Sequence, residues 1–291
     1  MKLAIVIATF NRCNLLGVLL NQINDLIVPA GVTLKTIIVN DGSTDNTNHM
    51  LKTEFPQATI INGSGDWWWT KCMNEGFKKA IQLGQDYVLV LNDDNEIEKD
   101  YLVKLIYDYN TLDKESILGS ASVSITKPHK IESAGTKSFS KINLKCTPYY
   151  KGFPLMNEDF RGIHPTWTLS GRGTLIPVEI FNKIGFYDEK LVQYGSDDEF
   201  CIRSNINKYP VYISWNARIY NHTYETSKGS VYRKEGLISL LKSFLNRYSV
   251  NSISKNIYIY KKYSYHILLP IYVLILILGT IKAYYFNYKN D

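Results

Sequence analysis

Two clusters of acidic residues in this chain have the composition of a metal-binding or catalytic site. The first, Asn92-Asp93-Asp94-Asn95, directly follows the apolar run Tyr87–Leu91. Carboxylates at the end of a buried strand form a hard-oxygen site that suits Mg²⁺ or Mn²⁺, and such ions commonly hold substrate phosphates as well. The alternative is a turn that caps the next helix, and these four residues alone do not decide between the two.

The second acidic cluster is Gly195-Ser-Asp-Asp-Glu-Phe200. Three consecutive carboxylates repel one another, so stability gives no reason to place them together. One of Asp197, Asp198 and Glu199 could accept a proton as a general base. The alternative is the first turn of a helix, where the helix dipole favours acids.

Two further features could contribute to a binding site. His222 could contact a metal or a phosphate, although a lone histidine is more often structural. Three adjacent tryptophans, Trp67, Trp68 and Trp69, cannot all face one core in a strand or a helix, so at least one should line a cleft or cap the fold. Aromatic faces stack on sugars and bases, which makes a substrate contact one interpretation and a packed loop the other.

These residues need elements that position them, and the first 111 residues alternate between strand and helix patterns. Apolar runs predict strands at 2–8, 36–39, 58–61 and 87–91. Helical spacing of apolar residues predicts helices at 15–23, 44–55, 70–83 and 99–110. The alternation predicts an open, mostly parallel sheet, whose ligands bind beyond the carboxyl ends of the strands. Polar groups follow three strand ends and should meet at one rim, in the layout of a nucleotide site: Thr9 and Asn11; Asn40, Asp41 and Ser43; Asn92, Asp93 and Asp94.

The second half of the chain is less regular. Residues 112–165 have the pattern of strands with long loops. The remaining predicted elements are a strand within 171–177, helices at 178–184 and 197–205, and a strand at 211–215.

The segment 233–291 differs from the rest of the chain in charge and apolarity. It carries a net charge of +7 and nine of the 22 tyrosines, whereas the first 232 residues carry −1. The uncharged run 267–281 is short for a membrane-spanning helix, which needs roughly 20 apolar residues. The run is therefore borderline between a transmembrane, a re-entrant and an interfacial segment, and the alternative is a helix buried against the domain or a partner. A basic, apolar segment rich in tyrosine favours an anionic membrane surface.

Composition argues against several other classes of protein. A nucleic-acid enzyme would carry its positive charge around its cleft, not at one end of the chain. The four cysteines are widely spaced and include no CxxC pair, which argues against a zinc cluster or a disulfide scaffold. The chain begins with a strand pattern instead of a cleavable apolar stretch, so we expect a cytoplasmic catalytic domain.

Six motifs follow one another in order from the N-terminus to about residue 225. They are Ile5-Val-Ile-Ala-Thr-Phe-Asn-Arg12, Val39-Asn-Asp-Gly-Ser-Thr-Asp45, Asn74-Glu-Gly76, Leu91-Asn-Asp-Asp94, Ile184-Gly-Phe-Tyr-Asp-Glu189 and Gly195-Ser-Asp-Asp-Glu-Phe-Cys201. Together they resemble family 2 glycosyltransferases with the GT-A fold, and the tryptophan run is similar to a rhamnosyltransferase-like subgroup. Two positions depart from the family pattern: Asn92 replaces the first acid of the metal motif, and Ser196 replaces the glutamate before the base.

The resemblance implies an inverting, metal-dependent transfer of sugar from a UDP- or dTDP-sugar. It implies that Asp197 is the catalytic base, or Asp198 or Glu199 if the register differs. It implies that Asp94 and His222 bind Mn²⁺ or Mg²⁺. Nucleotide contacts are implied for Thr9, Asn11, Arg12, Asp41, Ser43, Asn74 and Asp93. We expect acceptor or sugar contacts from Trp67, Trp68, Trp69, Arg172 and Gly173.

The expected organisation is a Rossmann-like α/β catalytic domain of the GT-A type over 1–232, followed by apolar and basic helices over 233–291 that associate with the membrane. Within the domain, 1–111 would bind the nucleotide-sugar and 112–232 the acceptor. The expected partners are the donor, a glycan or lipid-linked oligosaccharide of capsule, O-antigen or cell-wall polysaccharide assembly, and the inner face of the cell membrane. No nucleic acid is expected, and a homodimer is left open.

Three other functions remain as alternatives. A nucleotidyltransferase would want a glycine-rich phosphate loop near the N-terminus, and Thr9-Phe-Asn-Arg-Cys13 lacks the glycines. A scaffold with a decayed site, which binds nucleotide-sugar or glycan without turnover, is kept open by Asn92 and Ser196. A purely structural membrane protein would leave the three polar strand ends unexplained.

Overall fold

Parallel strands joined by helices form the first half of the chain in the computed structural model, which describes residues 1–127, 129–150, 152–154, 161–222 and 236–288. The strands are β1 (Lys2–Thr9), β2 (Thr33–Asn40), β3 (Thr59–Asn62) and β4 (Tyr87–Asn92). The helices are α1 (Cys13–Asn24), α2 (Thr47–Glu54), α3 (Trp68–Gln82) and α4 (Tyr101–Tyr109). The strands lie in the order β3-β2-β1-β4 and are all parallel. The predicted alternation is confirmed, and each predicted boundary lies within three residues of the observed one.

The second half extends the same sheet beyond β4. Its strands are β5 (Asn95–Ile97), β6 (Ile117–Ser124), β7 (Ile131–Ser133), β8 (Thr136–Phe139), β9 (Cys146–Pro148), β10 (Ile163–Pro165), β11 (Thr174–Pro177) and β12 (Val211–Asn221). Beyond β4 the order is β11-β6-β12-β10, with β11 antiparallel to β4 and β12 parallel to β6. Strands β8 and β9 form a separate pair. The predicted α/β architecture with a mostly parallel central sheet is therefore confirmed.

Apolar side chains cover both faces of this sheet. Helices α1, α2 and α4 pack on one face, and α3, α5 (Val178–Ile184) and α6 (Ser196–Ile206) pack on the other. Gly76 lets α3 approach β1 closely, because a Cβ atom there would lie 2.3 Å from Val6 Cγ1. This contact is a physical reason for the glycine of the Asn74-Glu-Gly76 motif.

The carboxyl ends of β1, β2 and β4 meet at one edge of the sheet. Thr9 is the register partner of Asn40, and Ala8 is the partner of Asn92. The predicted convergence of the three polar strand ends is confirmed, and the loops that follow these strands form the rim of the site.

The C-terminal segment forms α7 (Leu237–Leu245), α8 (Ile253–Tyr263), a 3-10 turn (His266–Leu268) and α9 (Leu269–Tyr288). The predicted domain boundary between 232 and 233 lies outside the described residues. Helix α8 packs against the α/β domain, where the hydroxyl of Tyr258 donates to Asp188 at 2.6 Å and the hydroxyl of Tyr260 donates to the Ile142 carbonyl at 2.7 Å. These two tyrosines of the segment that was expected at a membrane surface therefore bond to the domain.

Candidate active site

A cavity of about 640 Å³ opens at the rim, a size typical of small-ligand sites. Its walls come from the strand ends, from the start of α3, from the segment before α6 and from the loop between α7 and α8. The structure thus brings together nine of the predicted site residues: Thr9, Arg12, Asp41, Trp68, Trp69, Asp93, Asp94, Arg172 and Asp197.

Asp93 and Asp94 are buried at the end of β4 and share one cationic partner. Nη1 of Arg12 lies 3.0 Å from Asp93 Oδ1 and 3.0 Å from Asp94 Oδ2. Burial raises the pKa of Asp93 to about 6, although the positive charge of Arg12 acts in the opposite direction. Two carboxylate oxygens therefore converge on one position that already holds a positive charge.

This donor set fits a divalent cation that takes the rest of its ligands from a substrate. Mg²⁺ is usually bound by one or two carboxylates plus substrate phosphates. Among the described residues, no group of three or more His, Cys, Asp or Glu side chains could hold a metal ion. A metal at Asp93 and Asp94 would thus require Arg12 to withdraw and a diphosphate to complete the shell.

Asp41 fixes the loop that leads into α3. Its Oδ1 accepts the N–H of Gly65 at 2.8 Å, and its Oδ2 accepts the N–H groups of Trp67 and Trp68, each at 3.0 Å. A carboxylate has about four lone-pair sites. Asp41 therefore orders this loop and keeps room for one further donor from a ligand.

The first two tryptophans of the run have different surroundings. Lys71 Nζ lies 4.9 Å from the centre of a Trp67 ring. Trp68 lines the cavity and stacks on Tyr248, with ring centroids 4.0 Å apart and an interplanar angle of 17°. The backbone φ of Trp68 is +61°, a conformation that costs energy for a bulky residue and that the bond to Asp41 helps to hold.

Trp69 forms part of the cavity wall. Its Nε1 donates to Asn92 Oδ1 at 3.2 Å, and its backbone N–H donates to Gln193 Oε1 at 3.2 Å. Its ring packs on Gly171, where a Cβ atom would lie 2.3 Å from Trp69 Cζ2. The expectation that at least one tryptophan lines a cleft is confirmed for Trp68 and Trp69.

Asp197 lies in the first turn of α6 and faces the cavity. Its Oδ2 accepts the N–H of Gly171 at 2.8 Å, and its Oδ1 accepts the N–H of Asp198 at 2.9 Å. Burial raises the pKa of Asp197, while these backbone bonds and the charge of Arg172 act to lower it. The Nε atom of Arg172, which also lines the cavity, is buried and has no hydrogen-bond partner within the part of the chain that the structure describes.

The two acids after Asp197 are placed differently. Glu199 is buried and paired with Arg203 at 2.9 Å and Lys262 at 2.8 Å, so its carboxylate is fully engaged. Asp198 does not line the cavity. Desolvation by the surrounding protein and the charge of Asp197 raise the pKa of its carboxyl group to about 8. The geometry therefore favours Asp197 over its two neighbours as the residue that meets a substrate.

Asn11 and Ser43 join two loops of the rim. The N–H of Asn11 donates to Ser43 Oγ at 2.9 Å, and Asn11 Oδ1 accepts the N–H of Thr44 at 2.7 Å. Asn11 has a φ of +52°, which asparagine tolerates better than most residues. Neither residue lines the main cavity.

Asn74 is engaged inside the protein, although the sequence placed it at the nucleotide. Its Nδ2 donates to the Tyr187 carbonyl at 2.9 Å and to Glu189 Oε1 at 3.0 Å, and its Oδ1 accepts the Tyr187 N–H at 3.1 Å. Asn74 thus ties α3 to the segment before α6, and its geometry gives no support to a nucleotide contact.

His222 and Gly173 also lie outside the cavity wall. His222 Nε2 lies 2.7 Å from Glu96 Oε1, so the protein itself engages one ring nitrogen of the histidine that the resemblance assigned to a metal. Gly173 has a φ of +71°, and a Cβ atom there would lie 2.7 Å from Ser120. Close packing therefore accounts for this glycine without an acceptor.

Residues 4–185, more than half of the chain, match the family model described as Glycosyl transferase family 2. The chain belongs to glycosyl transferase family 2. The transferase prediction is confirmed at this level, and the rhamnosyltransferase-like subgroup stays a prediction. Among curated proteins, no sequence matches this family 2 chain.

Solved structures with a similar fold include GalNAc-T7 with UDP, GalNAc and Mn²⁺, at a TM-score of 0.61 and 13% identity over 76% of this chain and 44% of that one. They also include Staphylococcus aureus TarS 1–349, at a TM-score of 0.55 and 16% identity over 90% of this chain and 70% of that one. TarS 1–349 in complex with UDP-GlcNAc matches at a TM-score of 0.55 and 15% identity, over 90% of this chain and 71% of that one. The chain thus spans less than half of GalNAc-T7. These likenesses confirm the predicted GT-A fold.

Sequence reasoning missed one side of the site of this family 2 chain. Four residues of the loop between α7 and α8 line the cavity: Asn246, Tyr248, Ser249 and Val250. Behind them, burial lowers the pKa of Lys255 to about 8, although the charges of Asp198 and Asp197 act in the opposite direction. The available signal was a single tyrosine, Tyr248, that follows an apolar helix. It does not indicate contact with Trp68, which lies 180 positions earlier.

Proposed function

We propose that the chain is an inverting glycosyltransferase that moves a sugar from a UDP- or dTDP-sugar to a hydroxyl group of a glycan. The observation that carries this proposal is one cavity in which the carboxylates of a strand-end rim and Asp197 face the same space. The similar fold of TarS in complex with UDP-GlcNAc, and of GalNAc-T7 with UDP, GalNAc and Mn²⁺, supports a UDP-sugar as the donor.

The rim would hold the donor. A divalent cation, Mn²⁺ or Mg²⁺, held by Asp93 and Asp94 would neutralise the charge that grows on the departing nucleoside diphosphate. Arg12 then leaves the two carboxylates and contacts the diphosphate, while Asp41 offers its remaining acceptor site to the nucleobase.

Asp197 would act as the base on the acceptor side. The acceptor oxygen forms a bond to the anomeric carbon as the bond from that carbon to the diphosphate oxygen breaks, and the acceptor proton passes to Asp197. Attack from the face opposite the leaving group inverts the anomeric configuration in one displacement. The raised pKa of Asp197 favours proton acceptance, and its two backbone N–H donors fix its orientation.

The test of this proposal is the isosteric change Asp197→Asn. General-base catalysis contributes about 10² to 10⁴ in rate, so UDP release from the donor should fall by at least about 10²-fold. The affinity for UDP, measured by calorimetry, should change less than about twofold, since this side chain would meet the acceptor. Asp198→Asn is the matched control and should keep most of the turnover. Loss of UDP binding along with turnover would show a structural role for Asp197 and contradict the proposal.

A donor-binding protein without turnover is the second candidate. Arg12 occupies the pair Asp93 and Asp94, and Asn92 replaces the first acid of the motif, which favours this reading. UDP binding without UDP release from any donor would select it over the transferase.

We also propose that the chain works at the inner face of the cell membrane on a lipid-linked glycan of cell-surface polysaccharide assembly. The helical stretch His266–Tyr285 is long and apolar enough to cross a membrane, and only 6% of it is buried. Ile267 is 87% exposed, and Ile238 of α7 is 71% exposed. A chain that ends after Ser264 should move from the membrane pellet to the soluble fraction. A shortened chain that still sediments with membranes would contradict this part of the proposal.

A further inference from the structure

The ammonium group of Lys262 in α8 joins two points of the α/β domain. Its Nζ lies 2.9 Å from Asp188 Oδ2 and 2.8 Å from Glu199 Oε1. The Glu199 carboxylate has no exposed surface and also binds Arg203, and Tyr263 of α8 donates to it as well. Two acids that are 11 positions apart in the chain are thus held by one cation.

The segment between these two acids carries the proposed base. Gln193, Tyr194, Gly195 and Asp197 all lie between Asp188 and Glu199, and all four line the cavity. Gly195 has a φ of +89°, and a Cβ atom there would lie 3.8 Å from Ile259 Cδ1 of α8. Helix α8 therefore lies directly on the turn that presents Asp197.

Other contacts of α8 hold the same segment from the same side. The hydroxyl of Tyr258 donates to Asp188, and Lys190 Nζ lies 5.0 Å from the Tyr258 ring. Lys255 Nζ donates to the Val250 carbonyl at 2.8 Å, which connects α8 to the loop that lines the cavity. By contrast, no salt bridge is found for the neighbouring Lys261, which is exposed on the same helix, within the described ranges.

We propose that Lys262 is a positioning residue for Asp197, so that α8 of the C-terminal segment is part of the catalytic machinery. Lys262 fixes both ends of the 188–199 segment and thereby fixes the distance from the base to the acceptor hydroxyl. This inference rests on the proposed role of Asp197. A displacement of about 1 Å in a reacting group can reduce a rate by about 10²-fold, so a modest loosening of this segment is enough to matter.

The experiment compares Lys262→Met with Lys261→Met in the full chain in detergent. UDP release from UDP-GlcNAc, with octyl β-glucoside or water as acceptor, measures turnover, and calorimetry with UDP measures donor binding. We expect Lys262→Met to lower kcat by about tenfold or more, with a UDP affinity within about twofold of wild type. Lys261→Met should match wild type, and Lys262→Arg should restore most of kcat because it keeps the charge.

A double mutant separates positioning from a general loss of stability. If Lys262 acts through Asp197, Lys262→Met should cause no further loss of turnover in an Asp197→Asn background. A Lys262→Met protein that melts at a lower temperature but keeps its kcat would overturn the inference, and so would a parallel loss of kcat and UDP binding. If the wild-type protein binds no UDP, the proposed function itself fails, which is a distinct result.

Discussion

The strand-end rim and helix α8 reach the same cavity by different routes. The rim consists of residues that directly follow β1, β2 and β4, and the parallel sheet aligns them by register. Helix α8 approaches from the other side and contacts the segment around Asp197 through Lys262, Tyr258 and Tyr263. Under the proposed function, the rim supplies groups for the donor, whereas the C-terminal segment holds the acceptor side in place.

Two truncations should give the largest difference in turnover that we expect, because only one of them removes α8. A chain that ends after Ser264 keeps α8 and should keep UDP binding and most turnover. A chain that ends after Leu245 loses Lys262 and the loop that contains Tyr248, and its turnover should fall below detection. UDP release by the two purified proteins measures this difference. Equal turnover in both chains would contradict the role of α8.

The rim could be predicted from the sequence because neighbouring residues of the chain define each of its polar clusters. Each polar cluster follows an apolar strand, and the sheet rule brings such strand ends together without any knowledge of side-chain contacts. The Asn74-Glu-Gly76 motif was found by resemblance, but only the structure shows that Asn74 bonds Tyr187 and Glu189. A polar residue of a motif can either stabilise the packing of the protein or bind a ligand, and the residue type alone does not distinguish the two roles.

The role of α8 could not be predicted because its contacts join residues that are far apart in the chain. Lys262 and Asp188 are 74 positions apart, and Tyr263 and Glu199 are 64 apart. Lysines and tyrosines beside an apolar helix are also typical of a membrane interface, so composition favoured that interpretation for the whole segment. The structure divides the segment into α8, which binds the domain, and the exposed stretch His266–Tyr285.

A change at Arg12 tests whether the strand-end rim binds a metal ion. Arg12→Gln removes the cation that lies between Asp93 and Asp94, so Mn²⁺ should bind the nucleotide-free protein more tightly. The affinity should rise by about tenfold, which corresponds to about 1.4 kcal/mol, since a partly buried charge is screened only in part. Electron paramagnetic resonance of free Mn²⁺ measures it, with Arg12→Lys as the control that keeps the charge. An unchanged Mn²⁺ affinity would argue against a metal at these two acids.

The stacked pair Trp68 and Tyr248 lies where the two regions meet. Tyr248→Ala should uncover the cavity and let water reach the donor, so UDP release without an acceptor should rise by about two- to tenfold. Tyr248→Phe keeps the ring and should behave like wild type. If both variants release UDP at the wild-type rate, the pair does not exclude water.

The pH dependence of turnover should show the smallest effect. Below its raised pKa, Asp197 is protonated and cannot accept a proton, so kcat should fall as the pH falls through that pKa. The raised pKa of Asp198, about 8, leaves that residue protonated over this range, so Asp198→Asn removes no charge there and should leave this acidic limb in place. Lys255→Met removes a positive neighbour and should move it to higher pH. An acidic limb that stays in place in Lys255→Met would contradict Asp197 as the titrating base.

Calorimetric titration with UDP, dTDP, GDP and CMP, each with and without Mn²⁺, is the most direct test of the cavity as a nucleotide-sugar site. We expect UDP or dTDP to bind and Mn²⁺ to tighten the binding, because Asp93, Asp94 and the diphosphate would share the ion. GDP and CMP should bind more weakly than the preferred nucleotide. A failure of all four nucleotides to bind, with or without Mn²⁺, would contradict the assignment of the cavity as a nucleotide-sugar site.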